Sequence, residues 1–433
     1  MPALYVVNLG CAKNQVDLEY MLGQLLPRRF TLAARPEQAD VLLVNTCAFI
    51  EAATAESCAV IRELAAAKRA HQRLLVSGCL PQRYGETLAA DIPAVDRWVP
   101  LRDEARIFEI IAEWHPAAPA LPVDGSRSRI SPRHYAYLRI ADGCNHACSF
   151  CTIPAIRGRM RSVPPDALLR EAQQLADEGV IELNLIAQDT SGYGSDLSAG
   201  QRLAALLSRL CGINGIEWIR LQYLYPATLG ADLLAVIAAE PKLCKYIDVP
   251  LQHIADTVLR SMRRPGRDAT ERLLAAIAAT VPGVTLRTTL IVGYPLEGDA
   301  EFDQLAALVR SGRFQRLGVF EYSREQGTPA YGLGDPVAPE EKRRRRHELM
   351  ALQQRVSLAH NQRMVGATVP VIVDEVDRRG RARGRTQGDA PDVDNAVQIA
   401  RAAAHRPGAV IPVTITRAAA YDLHGTPALT RRS

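Results

Sequence analysis

Four things are missing from this 433-residue chain, and each absence narrows what it can be. No run of eighteen uninterrupted apolar residues occurs, so no segment reads as a membrane-spanning helix. The N-terminus MPALYVVNLG lacks the basic-then-apolar layout of a secretory signal, and the expectation is a cytoplasmic protein. No Ser-His-Asp set or pair of carboxylates stands out, so no side chain is assigned as acid, base or nucleophile. Finally, ADGCNHACSFCTIP packs Cys144, Cys148 and Cys151 into eight positions and supplies no fourth cysteine.

What is present fits a soluble α/β multidomain protein. Hydrophobic residues make up 48% and charged residues 23%, enough apolar material for several buried cores. The formal net charge of +5 is mild and permits an anionic or ribosomal partner without requiring one. From 1 to 117, short apolar runs (LYVVNL, VLLVN, RLLVSG) alternate with amphipathic stretches, the pattern of a parallel sheet covered by helices. A Pro- and Ser-containing stretch over 115–132 reads as a linker. From 130 to 363, six strand runs (YAYLRIA, IELNLIA, WIRLQYL, YIDVPL, LRTTLIVG, RLGVFEYS) alternate with helices and predict a partial (βα)6 barrel, closed off by a charged connecting helix. On that helix Leu349, Leu352, Val356 and Leu358 recur at roughly helical spacing. Residues 364–433 show short strand runs separated by Gly and Asp, a small all-β module.

The nine cysteines carry the chemistry. In a reducing compartment clustered thiols are better read as metal ligands than as disulfides. A structural zinc site wants four protein ligands, usually as two C-x2-C pairs. Here the spacing is C-x3-C-x2-C directly after a strand, and His146 between the first two cannot easily complete the same tetrahedron. Three thiolates on a [4Fe-4S] cube leave one iron open to a small molecule. A second set is dispersed: Cys11 follows YVVNLG, Cys47 follows VLLVNT and Cys79 follows LLVSG, each where an apolar strand run ends. Carboxyl ends of parallel strands lie on one edge of the sheet, so these three can converge on a second three-cysteine site. Cys58, Cys211 and Cys244 have no such placement and read as structural.

C-x3-C-x2-C after the first barrel strand, with Phe150 before the third cysteine, resembles the radical S-adenosylmethionine superfamily. NLGCAKNQVD, VNTCAFI, SGCLPQR and GCNHACSFCTIPAIRGRMRS extend the resemblance over the whole chain to the methylthiotransferases, whose tail is a TRAM (OB-like) barrel. Within that family the choice lies between a tRNA-modifying branch (MiaB-like) and a branch that modifies a ribosomal protein (RimO-like). IAQDTSGYG stands where the first branch has a Gln-Asn-Val-Asn-type run. LYP, DVPLQH, MRRPGR and the tail's DAPDVDNAV also resemble the second. That resemblance implies two [4Fe-4S] clusters, on Cys11, Cys47, Cys79 and on Cys144, Cys148, Cys151. It further implies two S-adenosylmethionine molecules, an electron donor and a sulfur source. The implied substrate is the β-carbon of an aspartate in small-subunit ribosomal protein S-twelve, free or within the ribosome, which receives a methylthio group after hydrogen abstraction by a 5′-deoxyadenosyl radical. A non-catalytic iron-sulfur RNA-binding or redox-sensing protein is the alternative of another class.

Barrel active sites form at the carboxyl ends of strands, which nominates Gln188, Asp189, Gln252, Gly293 and Glu297 as S-adenosylmethionine contacts, with Phe150 packing against adenine. Gln188 or Gln252 as helix caps, and Glu297 as a first-turn carboxylate facing a helix dipole, are the plainer readings. GYPLEG departs from the family's Gly-Phe-Pro-Gly-Glu at Tyr294 and Leu296. Arg157, Arg159 and Arg161 read as contacts for an acidic substrate loop, and the run Lys342 to Arg346 as a solvated helix face. Direct nucleic-acid binding is left open, because the tail lacks an aromatic stacking platform.

Overall fold

The computed structural model describes residues 1–116, 119, 121, 127–198 and 200–428. Residues 117, 118, 120 and 122–126 of the linker expected over 115–132 lie outside the described residues, as do the last five residues of the tail module. The chain divides into two compact units. One comprises residues 1–131, 142–160 and 323–328, and the other 132–141, 161–322 and 329–433.

In the first unit, β1 (Ala3–Asn8), α1 (Ala12–Leu25), β2 (Thr31–Leu32), β3 (Val41–Thr46), α2 (Glu51–Ala67), β4 (Arg73–Gly78), α3 (Cys79–Asp91), β5 (Arg97–Pro100) and α4 (Ile107–Ala112) build a parallel sheet in the order β2-β1-β3-β4-β5. The period-2 alternation of a strand divides its apolar residues between two faces. Val41 and Leu43 of β3 pack with Leu4, Leu75, Leu18 and Leu22 under α1 and α4. Leu42 and Val44 pack with Leu74, Val76, Ile61 and Leu80 under α2 and α3. A strand covered on both faces can be apolar throughout, which is why VLLVNT is buried at every position. The short helix α5 (Ile153–Arg157) joins this unit through Ile156, a member of the same core as Leu80. Residues 323–328 join it through Glu325, which pairs with Arg83 at 2.9 Å and accepts the Glu51 amide at 2.7 Å.

In the second unit, β6 (Tyr135–Arg139) leads in sequence to the short strands β7 (Ala141–Asp142) and β8 (Arg161–Ser162), then α6 (Pro165–Asp177), β9 (Glu182–Ile186), α7 (Leu203–Cys211), β10 (Trp218–Leu221), α8 (Ala231–Ala239), β11 (Leu243–Asp248), α9 (Asp256–Ser261), α10 (Arg267–Thr280), β12 (Thr285–Val292), α11 (Asp299–Arg310), β13 (Arg316–Glu321) and α12 (Pro339–Gln362). The six long strands β6, β9, β10, β11, β12 and β13 form one parallel sheet in chain order. A sheet that winds one way with helices between its strands is a barrel segment, as the strand runs predict.

The tail is a closed five-stranded barrel, β14 (Thr368–Val376), β15 (Ala382–Arg385), β16 (Val397–Ile399), β17 (Val410–Ala418) and β18 (Leu423–Pro427), ordered β14-β15-β16-β18-β17. Two of these strands, ARGR and LHGTP, have no apolar run to announce them. Pairing on both sides in a closed barrel overrides their weak strand propensity.

One reading of surface charge is corrected. On α12 the buried stripe is Lys342, Arg345, Leu349, Gln353, Ser357 and Asn361. Leu352, Val356 and Leu358 lie beside that stripe at intermediate exposure, and the run Lys342 to Arg346 is only partly solvated. Lys342 donates to the Tyr322 carbonyl at 3.0 Å, and Arg345 pairs with Glu297 at 2.7 Å. The acidic run 389–395 binds the unit's own strands. Asp389 pairs with Arg316 at 2.6 Å, Asp392 accepts from the Tyr135 and Tyr137 hydroxyls, and Asp394 accepts from the Tyr246 hydroxyl at 2.7 Å. The register Tyr137↔Asn184↔Arg220 places these polar groups on one face of the sheet, where Glu182 meets both Arg220 (2.9 Å) and Arg385 of the tail barrel (2.8 Å).

Removing one partner of a buried pair leaves an uncompensated charge. Arg316→Ala should therefore lower stability by about 3–5 kcal/mol in chemical denaturation. A loss below roughly 1 kcal/mol, the size of an exposed pair, would contradict the buried junction described here.

Candidate metal centre

The strand order decides where the dispersed cysteines go. β1, β3 and β4 are neighbours, and their pairing runs to Asn8↔Asn45 and Thr46↔Gly78 at their carboxyl ends. Cys11, Cys47 and Cys79 are the residues just beyond those ends. Cys11 is the N-cap of α1, and Cys79 is the first residue of α3. Helix N-termini favour negative charge, so both places suit a thiolate.

One side chain measures the convergence. Asn14, a single helical turn after Cys11, accepts from the Cys11 thiol at 3.3 Å and donates to the Cys79 sulfur at 3.6 Å. Its amide also donates to the Thr46 carbonyl, beside Cys47, at 3.1 Å. A Cβ on Gly10 would lie 2.9 Å from the Cys47 Cβ, so the chain before Cys11 passes directly against Cys47. Burial pushes the Cys47 thiol up to about 11; a backbone hydrogen bond from Phe49 opposes this, and nearby Cys79 and Cys11 add to it. Burial also raises the Cys79 thiol, against the pull of Arg157 and Asn14. Buried thiols of this kind ionise when a metal cation replaces the proton.

The local set, Cys144, Cys148 and Cys151, belongs to the same compact unit. The Cys144 amide donates to the Gly158 carbonyl at 3.1 Å, and the Cys151 amide to the Cys148 carbonyl at 3.2 Å, which folds the loop back on itself. Thr152 donates to the Phe49 carbonyl at 3.0 Å, two residues from Cys47. Arg157, at the end of α5, makes the remaining connection. Its guanidinium donates to Asp17 of α1 at 2.8 Å, to Asp142 at 3.1 Å and to the Cys79 sulfur at 3.6 Å. With 5% of its surface exposed, Arg157 is buried among protein partners and not on the surface as its sequence reading expects, while Arg159 and Arg161 are exposed.

None of the nine cysteines is in a disulfide. Among the described residues no three His, Cys, Asp or Glu side chains close on a single point as ligands of one ion do. A cube assigns each thiolate to a different iron, so a cysteine-only set has the ligand chemistry of a cluster without its sulfurs meeting on one point. Cys58 and Cys244 are buried, and Cys211 ends α7 half-buried.

The nominated cofactor contacts of the second unit all follow strand ends. Gln188 is half-buried two residues after β9. Asp189 is buried and accepts from the Ser191 hydroxyl (2.8 Å) and the Gly192 amide (3.0 Å), so its carboxylate shapes the loop. Gln252, at φ +73°, exchanges backbone hydrogen bonds with Thr289 and Ile291 of β12. The Gly293 amide donates to Glu297 at 2.8 Å. Glu297 is buried and shared with Arg345 at 2.7 Å and His253 at 3.0 Å. In the departing hexapeptide, Tyr294 is buried with its hydroxyl 2.9 Å from Ser261, and Leu296 is exposed. Phe150 is half-buried in the cysteine loop.

Sequence reasoning passed over Asn14 and Asp17, and it gave Arg157 a different role. The first two carried a readable signal. They are polar residues at helical spacing from Cys11, on the α1 face that continues through Leu18, Met21 and Leu25 into the core.

Residues 3–100 match the uncharacterized protein family UPF0004, 138–309 the radical SAM superfamily and 365–427 the TRAM domain. The chain is 44% identical over 436 residues to a ribosomal protein uS12 methylthiotransferase RimO from Pelobacter propionicus, covering 97% of this chain and 96% of that one. It is 45% identical to its counterpart from Anaeromyxobacter sp. (strain K), covering 98% and 92%. The chain belongs to the RimO methylthiotransferase family. Among solved structures, the radical S-adenosylmethionine methyltransferase TsrM from Kitasatospora setae superposes with a TM-score of 0.56 at 13% identity, over 78% of this chain and 79% of that one. The cobalamin-dependent radical enzyme OxsB gives 0.51 at 12% identity, over 81% and 56%. At such identities these two speak for the fold alone.

Gly78 immediately precedes Cys79 with φ +98° and ψ −150°, a conformation open in practice only to glycine, and a Cβ there would meet the Thr46 carbonyl at 2.5 Å. Gly78→Ala should cost at least roughly 1–3 kcal/mol in urea unfolding. An unchanged midpoint would show that the β4–α3 turn is not held as described.

Proposed function

We propose that this chain is a radical S-adenosylmethionine methylthiotransferase that modifies an aspartate β-carbon of small-subunit ribosomal protein uS12. The observation that carries the reading is the presence of two separate three-cysteine sets in one compact unit, in a member of the RimO family. Cys11, Cys47 and Cys79 hold one [4Fe-4S] cluster, and Cys144, Cys148 and Cys151 hold the other. When bound, these groups supply reductive cleavage of S-adenosylmethionine and delivery of sulfur, chemistry that no side chain can perform on an unactivated C–H bond.

The protein's own residues bind, orient and exclude water. Asn14 spans Cys11 and Cys79, and Arg157 ties the local cysteine loop to α1. Phe150, Gln188, Gln252 and Gly293 are the proposed contacts for S-adenosylmethionine. Glu297 and Asp189 contribute by fixing the turns that present Gly293 and Gln188, since their carboxylates already hold backbone amides. We assign 1–117 to sulfur insertion, 130–363 to radical generation and 364–433 to a tail that serves a protein substrate. Among the described residues no helix is long and apolar enough to cross a membrane. The electron donor and the sulfur source are separate partners.

The reading is tested by anaerobic reconstitution followed by peptide mass spectrometry of uS12 treated with the native chain and with Cys11→Ala. The native chain should add one methylthio group. The variant should add none while still forming 5′-deoxyadenosine. Unchanged modification by Cys11→Ala would remove the first cysteine set from the mechanism, and methylthiolation of tRNA adenosine in place of uS12 would overturn the substrate.

A further inference from the structure

We infer that Arg157 is the positioning residue that couples the two cysteine sets. It holds the loop of Cys144, Cys148 and Cys151 against α1 and raises the reduction potential of the cluster on Cys11, Cys47 and Cys79 by donating a hydrogen bond to the Cys79 sulfur. The inference rests on the reading of that first set as cluster ligands.

Three observations carry it. Arg157 lies six positions after Cys151 and is buried, so its charge needs protein partners. Its Nη2 serves two of them, Asp17 at 2.8 Å and the Cys79 sulfur at 3.6 Å, while Nη1 serves Asp142 at 3.1 Å, two residues before Cys144. The Cys79 sulfur receives a second donor, the Asn14 amide, at 3.6 Å. A plain ion pair would need only the carboxylates. A guanidinium nitrogen placed between a carboxylate and a ligand sulfur also acts on the metal, because donors to a cluster's sulfurs stabilise its more negative, reduced state. Arginine suits the place because its planar fork reaches three acceptors from one rigid head, whereas a lysine ammonium is a compact point charge.

The experiment isolates the first set in the full-length chain by Cys144→Ala, Cys148→Ala and Cys151→Ala, followed by anaerobic loading with iron and sulfide. In that background the midpoint potential is measured for Arg157, for Arg157→Lys, and for Arg157→Met combined with Asp17→Asn. Both changes keep the net charge of the buried pair, so a shift reports the lost N–H···S donation. The second also leaves Asp17 with no unpaired carboxylate if the lysine variant folds poorly. Both should titrate at a more negative potential, with an altered spectrum of the reduced cluster. Iron bound at an unshifted potential in either folded variant overturns the role of Arg157 alone. A background chain that binds no iron overturns the reading of Cys11, Cys47 and Cys79, and the inference with it.

Discussion

The cysteine centre depends on one buried guanidinium. Arg157 is shared among Asp17, Asp142 and the Cys79 sulfur, and these come from α1, the start of the local cysteine loop and the first residue of α3. A charge removed from water has to find compensation inside the protein. Arg157 finds it in the helix that starts at Cys11 and in the loop that carries Cys144. The two cysteine sets are far apart in sequence, and through this residue they share one hydrogen-bonded network.

A second polar interior has a different purpose. Along one face of the six-stranded sheet lie Tyr137, Glu182, Asn184, Arg220, Tyr246, Arg287 and Arg316, and the tail's Asp389, Asp392, Asp394 and Arg385 close on them. Glu182 is held in its charged form by Arg385 and Arg220 against the cost of its burial. The same burial, with Asp392 close by, pushes the Tyr137 hydroxyl far above its usual value, so it stays a neutral donor. The acids that give the tail its distinctive sequence are consumed by the molecule itself.

Much of the fold was legible because its signals are periodic. Apolar runs at strand length separated by amphipathic segments give β1, β3 and β4 and the six strands from β6 to β13 directly. The same logic failed for β15 and β18, whose residues become strands only because neighbours on both sides supply hydrogen bonds. It failed again on α12, where the residues turned inward are mainly polar. Lys342 and Arg345 are buried by their partners Tyr322 and Glu297, and partners distant in sequence leave no local pattern.

The sequence by itself determined the six candidate ligands, because thiolate chemistry limits which residues can hold iron and the ends of apolar runs locate Cys11, Cys47 and Cys79 on one sheet edge. It also determined the order of modules. Tertiary structure decided what surrounds those ligands: that β1, β3 and β4 are adjacent, that Asn14 spans Cys11 and Cys79, and that Arg157 turns inward to Cys79 and away from solvent. The reason is physical. A ligand's identity is written in its own side chain, but a hydrogen-bond partner is fixed only when two distant segments are packed together and each buried polar group must find an answer.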